Sequence, residues 1–397
     1  MTSSHYRYLV VGASVAADAA VKALRDEDAE GSIGVVGEEL TGPVYRPALS
    51  KDLWLNPETT IDEQRLGGLE ESGAEVHLGV RAVSVDTEGH TVTCDDGSVL
   101  GYDKLLVATG GRPRQLAEVP AGERVVYYRT LADYEHLRAL VADKPRVAVV
   151  GGGYIGTEVA AALVQQGCTV TLVHPGEVLG GHVYPPSIAR TVEDAFTEAG
   201  VTVRGSTSVT GAETYDAGVR LRLDDGTALE VDVVVLGLGI EPASDFLPDT
   251  VETASDGGVR VGTDLRTTAP DVWAAGDVAE YPDRLLGLRR VEHVDNAEHM
   301  GEVAGRVMAG ADETYDYTPM FWSDLFDHWY EAVGTMDASL ETVVDERGGN
   351  AVVVYYLDDD AVRGVLLWDC DGGIEEAKAL LAEQGRPDPE SLHGRIG

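Results

Sequence analysis

Two stretches of the chain carry the same order of apolar and polar positions. Each has an apolar run, a glycine turn, a helix-period run and a second apolar run: residues 8–11, Gly12, 18–25 and 33–36 in the first, and 146–150, Gly151, 155–166 and 169–173 in the second. This order predicts strand, turn, helix and strand. Two such units indicate two mononucleotide-binding halves on separate domains.

The rest of the pattern predicts shorter strands and a change of architecture near the end of the chain. Strands are predicted at 91–100, 104–111, 201–204, 219–223, 231–236, 351–356 and 361–367, and helices at 291–308 and 375–383. We therefore predict an α/β fold with two Rossmann-like, doubly wound dinucleotide-binding domains and a C-terminal α+β domain. The expected domains are 1–113 with 237–310, then 114–236, and finally 311–397.

The second glycine turn indicates a dinucleotide site. Gly151 permits a tight turn, Gly153 lets a pyrophosphate approach the backbone, and Gly156 allows close packing of helix on strand. The N-terminus of the helix then offers free N–H groups to phosphates. A glycine-rich turn that binds nothing is the alternative.

The first turn departs from this pattern, because Ser14 and Ala17 occupy positions where glycines are usual. Glu38 strengthens the prediction, since an acidic residue just past the second strand accepts hydrogen bonds from a ribose. Taken alone, Glu38 is better explained as a solvated loop residue.

The net charge of −39, with only five lysines among 30 basic residues, changes the picture of the surface. Because 44% of the residues are hydrophobic, we expect a folded protein with its carboxylates outside. We interpret this charge as adaptation to high salt, where carboxylates are screened from one another. An acidic protein of an ordinary cytosol is the alternative. Binding to nucleic acid or to an anionic membrane is disfavoured.

Three dispersed cysteines, Cys94, Cys168 and Cys370, indicate neither a disulfide framework nor a dithiol centre. No apolar stretch approaches the roughly 20 residues of a membrane span, and the N-terminus does not resemble a signal peptide. We expect a cytoplasmic protein without a metal site.

Six segments then resemble one family. Segment 37–51 (GEELTGPVYRPALSK) is similar to the signature of FAD-dependent ferredoxin and rubredoxin reductases and of apoptosis-inducing factor, within the pyridine nucleotide-disulfide oxidoreductase superfamily. Segments 108–114, 151–158, 274–277, 290–297 and 321–325 match in the same order. The last two segments resemble the apoptosis-inducing-factor branch.

The resemblance implies one bound FAD and a nicotinamide dinucleotide. Implied FAD contacts are Gly12, Ser14, Ala16, Glu38, Arg46, Lys51, Val80, Thr109, Gly110, Arg129, Asp277, Val294 and Trp322. Implied NAD contacts are Gly151, Gly153, Tyr154, Ile155, Gly156, Glu158, Gly239 and His293. Arg129 also fits a surface arginine, and Trp322 a core aromatic residue.

Lys51 and Glu158 are the implied catalytic pair. In the family this lysine lies beside flavin N5 and pairs with the glutamate that follows the second glycine turn. A compact ammonium there stabilises negative charge on the flavin, and Glu158 neutralises the ammonium at rest. A structural salt bridge is the alternative.

The preferred dinucleotide follows from the charges near the second turn. From Val147 to Ala189 there is no lysine or arginine to hold a 2′-phosphate, and Glu177 or a neutral His174 can serve the ribose of NAD. We expect NADH to be preferred over NADPH.

The implied function is hydride transfer from NADH to FAD, and then electron transfer to a small iron–sulfur protein such as a ferredoxin or rubredoxin. Two alternatives stay open: an apoptosis-inducing-factor-like oxidoreductase using oxygen or a quinone, and a redox-switched binding protein. The sequence does not determine the electron acceptor. It is compatible with a homodimer.

Overall fold

The computed structural model describes residues 4–383 and 385–397, which divide into two compact units. The first unit comprises the described residues through Tyr45, Thr60–Arg112 and Glu241–Pro319. The second comprises Arg46–Thr59, Pro113–Ile240 and Met320–Gly397, without Gln384. The second unit therefore contains the segment predicted as the NAD domain and most of the segment predicted as the C-terminal domain. The three-domain division stays a prediction.

The strands, in chain order, are β1 (His5–Val11), β2 (Ile33–Gly37), β3 (Glu75–Leu78), β4 (Ala82–Asp86), β5 (Thr91–Cys94), β6 (Val99–Val107), β7 (Gly111–Pro113), β8 (Val125–Tyr127), β9 (Arg146–Val150), β10 (Thr169–Val173), β11 (Thr202–Arg204), β12 (Val209–Tyr215), β13 (Gly218–Leu223), β14 (Ala228–Val231), β15 (Val233–Leu236), β16 (Ile240–Pro242), β17 (Val259–Arg260), β18 (Val272–Ala274), β19 (Ala279–Asp283), β20 (Gly287–Arg290), β21 (Met320–Leu325), β22 (His328–Gly334), β23 (Glu341–Gly348), β24 (Ala351–Leu357) and β25 (Val362–Trp368). The helices are α1 (Val15–Glu27), α2 (Asp52–Leu55), α3 (Gly68–Glu71), α4 (Leu131–Leu140), α5 (Tyr154–Gln165), α6 (Pro186–Glu198), α7 (Val294–Ala309) and α8 (Ile374–Leu381).

The first unit is built on a mixed sheet with the order β3-β2-β1-β6-β5-β4, and β18 also pairs with β6. Strands β3, β2, β1, β6 and β18 run parallel, so their carboxyl ends meet at one edge. Strand β1 is buried from Tyr8 to Val11, as a central parallel strand requires. A smaller sheet has the order β17-β19-β20.

Helices α1 and α7 pack closely in this unit because two glycines of α7 lie against the backbone of α1. A Cβ at Gly301 of α7 would lie 2.3 Å from the carbonyl oxygen of Ala16, and one at Gly305 would lie 2.4 Å from that of Ala20. A larger residue at either position would push the two helices apart.

The second unit contains a parallel sheet, β11-β10-β9-β15-β8, and a three-stranded meander, β12-β13-β14. Its C-terminal segment forms an antiparallel sheet, β21-β22-β25-β24-β23, against which α8 packs. The predicted fold class, with two doubly wound sheets and a C-terminal α+β segment, is confirmed.

Most predicted elements shift by only a few residues at their ends, but two predicted strands are each divided. Segment 91–100 contains β5 and the start of β6, which pair antiparallel across a turn. The strand predicted over 231–236 is two strands, β14 and β15, which are separated by Asp232. The Asp232 carboxylate accepts hydrogen bonds from the backbone N–H of Arg146 at 2.8 Å and from its guanidinium at 2.7 Å. This polar anchor interrupts the apolar run and lets β15 alone pair with β9.

Candidate cofactor and redox site

The first glycine turn joins β1 to α1 and requires a glycine at its first position. Gly12 has φ +117°, and a Cβ there would lie 2.1 Å from the carbonyl oxygen of Ala108. Ser14 follows in extended conformation at the N-cap of α1, and Ala16 is buried in the first helical turn. The backbone at the start of α1 therefore lies directly against the end of β6.

The N-termini of α1 and α7 converge beside Gly276. A Cβ at Gly276 would lie 3.0 Å from the Cβ of Ala16 and 3.7 Å from that of Ala297. Val294 begins α7, and Asp277 directly follows Gly276. Two helix N-termini placed together offer N–H donors and partial positive charge, which suit the pyrophosphate of a dinucleotide such as FAD. The sequence-predicted residues Ala16, Asp277 and Val294 are thus brought together in this unit.

Other predicted FAD contacts of the first unit lie at the carboxyl edge of its sheet. Glu38 follows β2 and is exposed, with its carboxylate 3.9 Å from the guanidinium of Arg81. The N–H of Val80 donates to the carbonyl of Gly37 at 3.0 Å. The hydroxyl of Thr109 donates to the carbonyl of Ala243 at 2.8 Å, and the N–H of Ala243 donates to the carbonyl of Gly110 at 3.0 Å. Ligands of doubly wound sheets bind at this edge, so the placement fits a nucleotide.

His293 is the N-cap residue of α7, at the same edge of the first unit. Desolvation lowers its pKa to about 4, and the nearby carboxylate of Asp277 only partly opposes this effect. The imidazole is therefore neutral at physiological pH. The sequence interpretation grouped His293 with the NAD contacts, but the structure places it in the first unit, whereas the other predicted NAD contacts lie in the second.

The second glycine turn, between β9 and α5, is packed even more tightly. A Cβ at Gly151, where φ is +117°, would lie 2.2 Å from the carbonyl oxygen of Gly237. A Cβ at Gly156 would lie 2.0 Å from the carbonyl oxygen of Gly151. Gly153, in contrast, has no atom within 4 Å of a Cβ position, so its backbone is open to a ligand. Gly239, which follows β15, is equally open.

The start of α5 presents an accessible face beside this turn. Tyr154 and Ile155 are 36% and 42% exposed, which is unusual for large apolar side chains at the start of a buried helix. The ring of Tyr154 packs edge-on against Phe321 of β21, with 5.6 Å between centroids. Trp322 is the neighbouring residue and is half-buried.

Lys51 and Glu158 form an ion pair inside the second unit. The Nζ of Lys51 donates to Oε1 of Glu158 at 2.6 Å, and the side chains are only 12% and 5% exposed. Two serine hydroxyls also contact this carboxylate: Ser50 donates to Oε2 at 2.5 Å and Ser323 donates to Oε1 at 2.6 Å. Neither serine is recognisable from the sequence, because a lone serine carries no distinctive pattern.

Arg46 and Arg129 lie in the same unit as this pair. The guanidinium of Arg46 donates to the backbone carbonyl of Arg129 at 2.9 Å. The N–H of Arg129 donates to the carboxylate of Asp133, within the capping box that begins α4. The structure therefore brings these two predicted FAD contacts together.

The two residues predicted to select the dinucleotide differ sharply in burial. His174 follows β10 and is 3% exposed, and burial lowers its pKa. Its Nε2 has no hydrogen-bond partner among the described residues. Glu177 is exposed. A cation outside the interval 147–189 also lies close in the fold, since Arg204 of β11 pairs in register with Val173.

Residues 6–301 match the family described as pyridine nucleotide-disulphide oxidoreductase. The chain belongs to this family. Members use FAD and NAD(H), and the protein is an FAD-dependent NAD(P)H oxidoreductase. Residues 304–345 match the C-terminal domain family of mitochondrion-associated apoptosis-inducing factor.

Individual relatives match this oxidoreductase along its whole length. The ferredoxin–NAD(+) reductase component of an anthranilate 1,2-dioxygenase system from Burkholderia cepacia is 34% identical, over 97% of this chain and 96% of its own. Monodehydroascorbate reductase 3 of Arabidopsis thaliana is 30% identical, over 98% and 94%. Among solved structures, the covalent putidaredoxin reductase–putidaredoxin complex matches with a TM-score of 0.88 and 28% identity, over 98% of this chain and 96% of that one.

No helix within residues 4–383 and 385–397 is long and apolar enough to cross a membrane. Within the same residues Cys94, Cys168 and Cys370 are free thiols, of which the first two are buried.

Proposed function

We propose that this oxidoreductase takes hydride from NADH and delivers electrons to a small iron–sulfur protein of the ferredoxin type. The observation that carries the proposal is the match, over nearly the full length of both chains, to a ferredoxin–NAD(+) reductase component. The similarity to putidaredoxin reductase in complex with putidaredoxin supports the same class of acceptor.

FAD supplies the conversion from a two-electron donor to an acceptor that takes electrons singly. In the first unit, the N-termini of α1 and α7 would hold its pyrophosphate, and Glu38 would accept hydrogen bonds from its adenosine ribose. Asp277, which follows Gly276 beside these N-termini, would bind the hydroxyls of its ribityl chain.

In the second unit, Lys51 would stabilise negative charge that develops on the isoalloxazine, and Glu158 would limit that charge stabilisation in the resting protein. The open backbone at Gly153 would bind the pyrophosphate of NADH, and Tyr154 would cover the ring system until nicotinamide displaces it. The exposed carboxylate of Glu177 would repel a 2′-phosphate, so NADH is the preferred donor.

Turnover with different acceptors tests this function. The purified protein should be yellow, with one FAD per chain that acid precipitation releases. With NADH, it should reduce cytochrome c only when a ferredoxin is added, and ferricyanide without one. Fast ferricyanide reduction with no response to any ferredoxin or rubredoxin would contradict the proposed acceptor but not the flavoenzyme itself.

The match of residues 304–345 favours a second candidate, an NADH oxidoreductase similar to apoptosis-inducing factor that uses oxygen or a quinone. Oxygen consumption and quinone reduction with NADH, measured without an iron–sulfur protein, distinguish this candidate. A redox-switched binding role would instead show negligible turnover with every acceptor. Reduction of disulfides is not proposed, because segment 49–51 has Leu-Ser-Lys and no cysteine.

We further propose that the net charge of −39 adapts a cytoplasmic protein to high salt. Exposed carboxylates repel one another unless the ionic strength is high, because the Debye length falls from about 10 Å at 0.1 M to about 3 Å at 1 M. The melting temperature should therefore rise between 0.1 M and 2 M KCl. A melting temperature that does not change with salt would contradict this adaptation.

A further inference from the structure

The carboxylate of Glu158 has more partners than one ion pair requires. Its Oε1 accepts from the Lys51 ammonium and from the Ser323 hydroxyl, both at 2.6 Å, and its Oε2 accepts from the Ser50 hydroxyl at 2.5 Å. All three donors are largely removed from solvent, with Ser50 and Ser323 at 3% and 2% exposure. A buried carboxylate needs such donors, because the lost hydration of a charge is expensive.

The three partners come from two segments of the second unit, and Glu158 lies on a third. Ser50 directly precedes Lys51, before the short helix α2, whereas Glu158 is in the second turn of α5. Ser323 lies on β21, where alternate residues Phe321, Ser323 and Leu325 are buried. An apolar side chain is expected at position 323, in the middle of that buried face. The serine found there donates its hydroxyl to a carboxylate, which indicates a specific role.

We propose that Ser50 and Ser323 are positioning residues that keep Glu158 ionised and fixed against Lys51. In this arrangement the hydroxyls satisfy lone pairs that the ammonium leaves unpaired. The charge that Lys51 presents then depends on two neutral groups, one of which belongs to the C-terminal sheet. The effect on FAD rests on the proposed function, whereas the effect on Glu158 itself does not.

The other titratable groups around Glu158 do not obscure such an effect. Tyr154, Tyr184 and Tyr330 interact with its charge, but burial raises the pKa of each above its usual value, so all stay neutral below pH 9. Asp324 and Asp52 are nearby carboxyl groups. Burial raises the pKa of Asp324, Lys51 partly opposes this rise, and Glu158 and Asp52 add to it. Between pH 4 and 9, these three tyrosines therefore add no charge beside Glu158.

The first test measures Glu158 in the purified protein. Carbon-13 NMR of glutamate-labelled protein identifies the Glu158 carboxyl as the resonance absent from Glu158→Gln. In Ser50→Ala and Ser323→Ala, the acid dissociation constant of this carboxyl should fall about tenfold each, because one hydrogen bond to a charged group is worth about 1.5 kcal/mol or more. Ser323→Thr keeps a hydroxyl and should restore the constant.

The second test measures the midpoint potential of bound FAD against pH. At low pH, the potential of Ser50→Ala/Ser323→Ala should rise to that of Glu158→Gln, since a protonated Glu158 leaves Lys51 uncompensated. The parent should reach that value only at a pH lower by one to two units. Ser72→Ala removes a buried hydroxyl that donates to the backbone carbonyl of Leu69 in the first unit, and should behave as the parent.

The outcomes distinguish failure of the proposed function from failure of the role proposed for Ser50 and Ser323. If neither the parent nor any variant binds FAD, the proposed function fails, and the NMR measurement still decides the role of the serines. If the Glu158 dissociation constant and the potential of the serine variants follow the parent at every pH, the two hydroxyls only fill space and the proposal is overturned. Should the double variant not fold, the single variants and Ser323→Thr give the same decision.

Discussion

The two glycine turns perform the same geometric task with different residues. In the second unit the turn closes on itself, since a Cβ at Gly156 would strike the carbonyl of Gly151 at 2.0 Å. The equivalent position of the first turn, five residues after Gly12, is Ala17, which is fully buried without strain. The first unit instead places its close contacts at Gly301 and Gly305 of α7, against the backbone of α1.

This difference shows that glycine is required where two backbone segments approach closely, and not at a fixed spacing in the motif. Only Gly12 and Gly151 share the constraint completely, because both have φ +117° and both face a carbonyl oxygen at 2.1–2.2 Å. In the first turn the equivalent position holds the buried Ala17, so that turn accommodates a Cβ there. The first motif, although irregular in sequence, therefore has the same tight glycine at its first position as the second motif.

Gly12→Ala and Gly151→Ala should have the largest effects of all single changes. Each combines backbone strain at positive φ with severe steric overlap. Together these should lower the free energy of unfolding by on the order of 4 kcal/mol. We expect Gly12→Ala to lose FAD, and Gly151→Ala to keep FAD while losing its bleaching by NADH. Flavin absorbance per chain and anaerobic titration with NADH measure the two effects.

Gly153→Ala is the matched control for this comparison. Gly153 has φ −86° and no atom within 4 Å of a Cβ position, so alanine should leave the melting temperature unchanged. The added methyl group should weaken NADH binding alone, because it lies where a pyrophosphate would approach. A loss of stability in Gly153→Ala, or full NADH affinity in Gly151→Ala, would contradict the division of roles between the turns.

Lys51→Met should have the next largest effect and tests the charge in the second unit. FAD should stay bound, its midpoint potential should fall, and its reduction by NADH should slow on the order of 10²-fold in single-turnover stopped flow, as for one lost electrostatic donor. Glu158→Gln should raise the potential. The double variant should be non-additive, because the side chains act as a unit.

Unchanged reduction rates in both single variants would leave Lys51 and Glu158 as a structural ion pair. In that case, the assignment of a redox site in the second unit would depend on the glycine turn alone. Lys378→Met, which removes the single lysine of helix α8, controls for loss of positive charge in so acidic a protein.

Sequence patterns predicted those parts of the site that depend on backbone geometry. Gly12, Gly151, Gly153 and Gly156 follow apolar strands, and only their spacing was needed. The patterns could not reveal Ser50 and Ser323, because their role arises when segments 108 and 165 residues away meet at Glu158. The same reason explains why Arg204 was overlooked, since β11 lies beside β10 only in the folded sheet.

The preference for NADH should be a smaller effect, a kcat/KM ratio over NADPH above about tenfold, equivalent to roughly 1.4 kcal/mol. Glu177→Arg should shift the ratio toward NADPH if this exposed carboxylate faces the ribose. If Glu177→Arg has no effect, His174 becomes the candidate, and His174→Arg should shift the ratio. Arg204→Gln and Arg190→Gln show whether a cation from β11 or α6 contributes.

The smallest expected effect concerns His293 of the first unit, and its sign follows from proton binding. Because the folded pKa of about 4 lies below the unfolded value of about 6.5, the unfolded chain binds more protons between these values. Stability contributed by the neutral imidazole is complete above pH 6.5 and is lost as the pH falls toward 4. His293 is partly accessible, so we expect a loss of only about 1 kcal/mol. His293→Gln should remove this part of the pH dependence in urea unfolding. If the parent and His293→Gln lose stability in parallel between pH 7 and pH 4.5, the imidazole of His293 does not titrate with a lowered pKa.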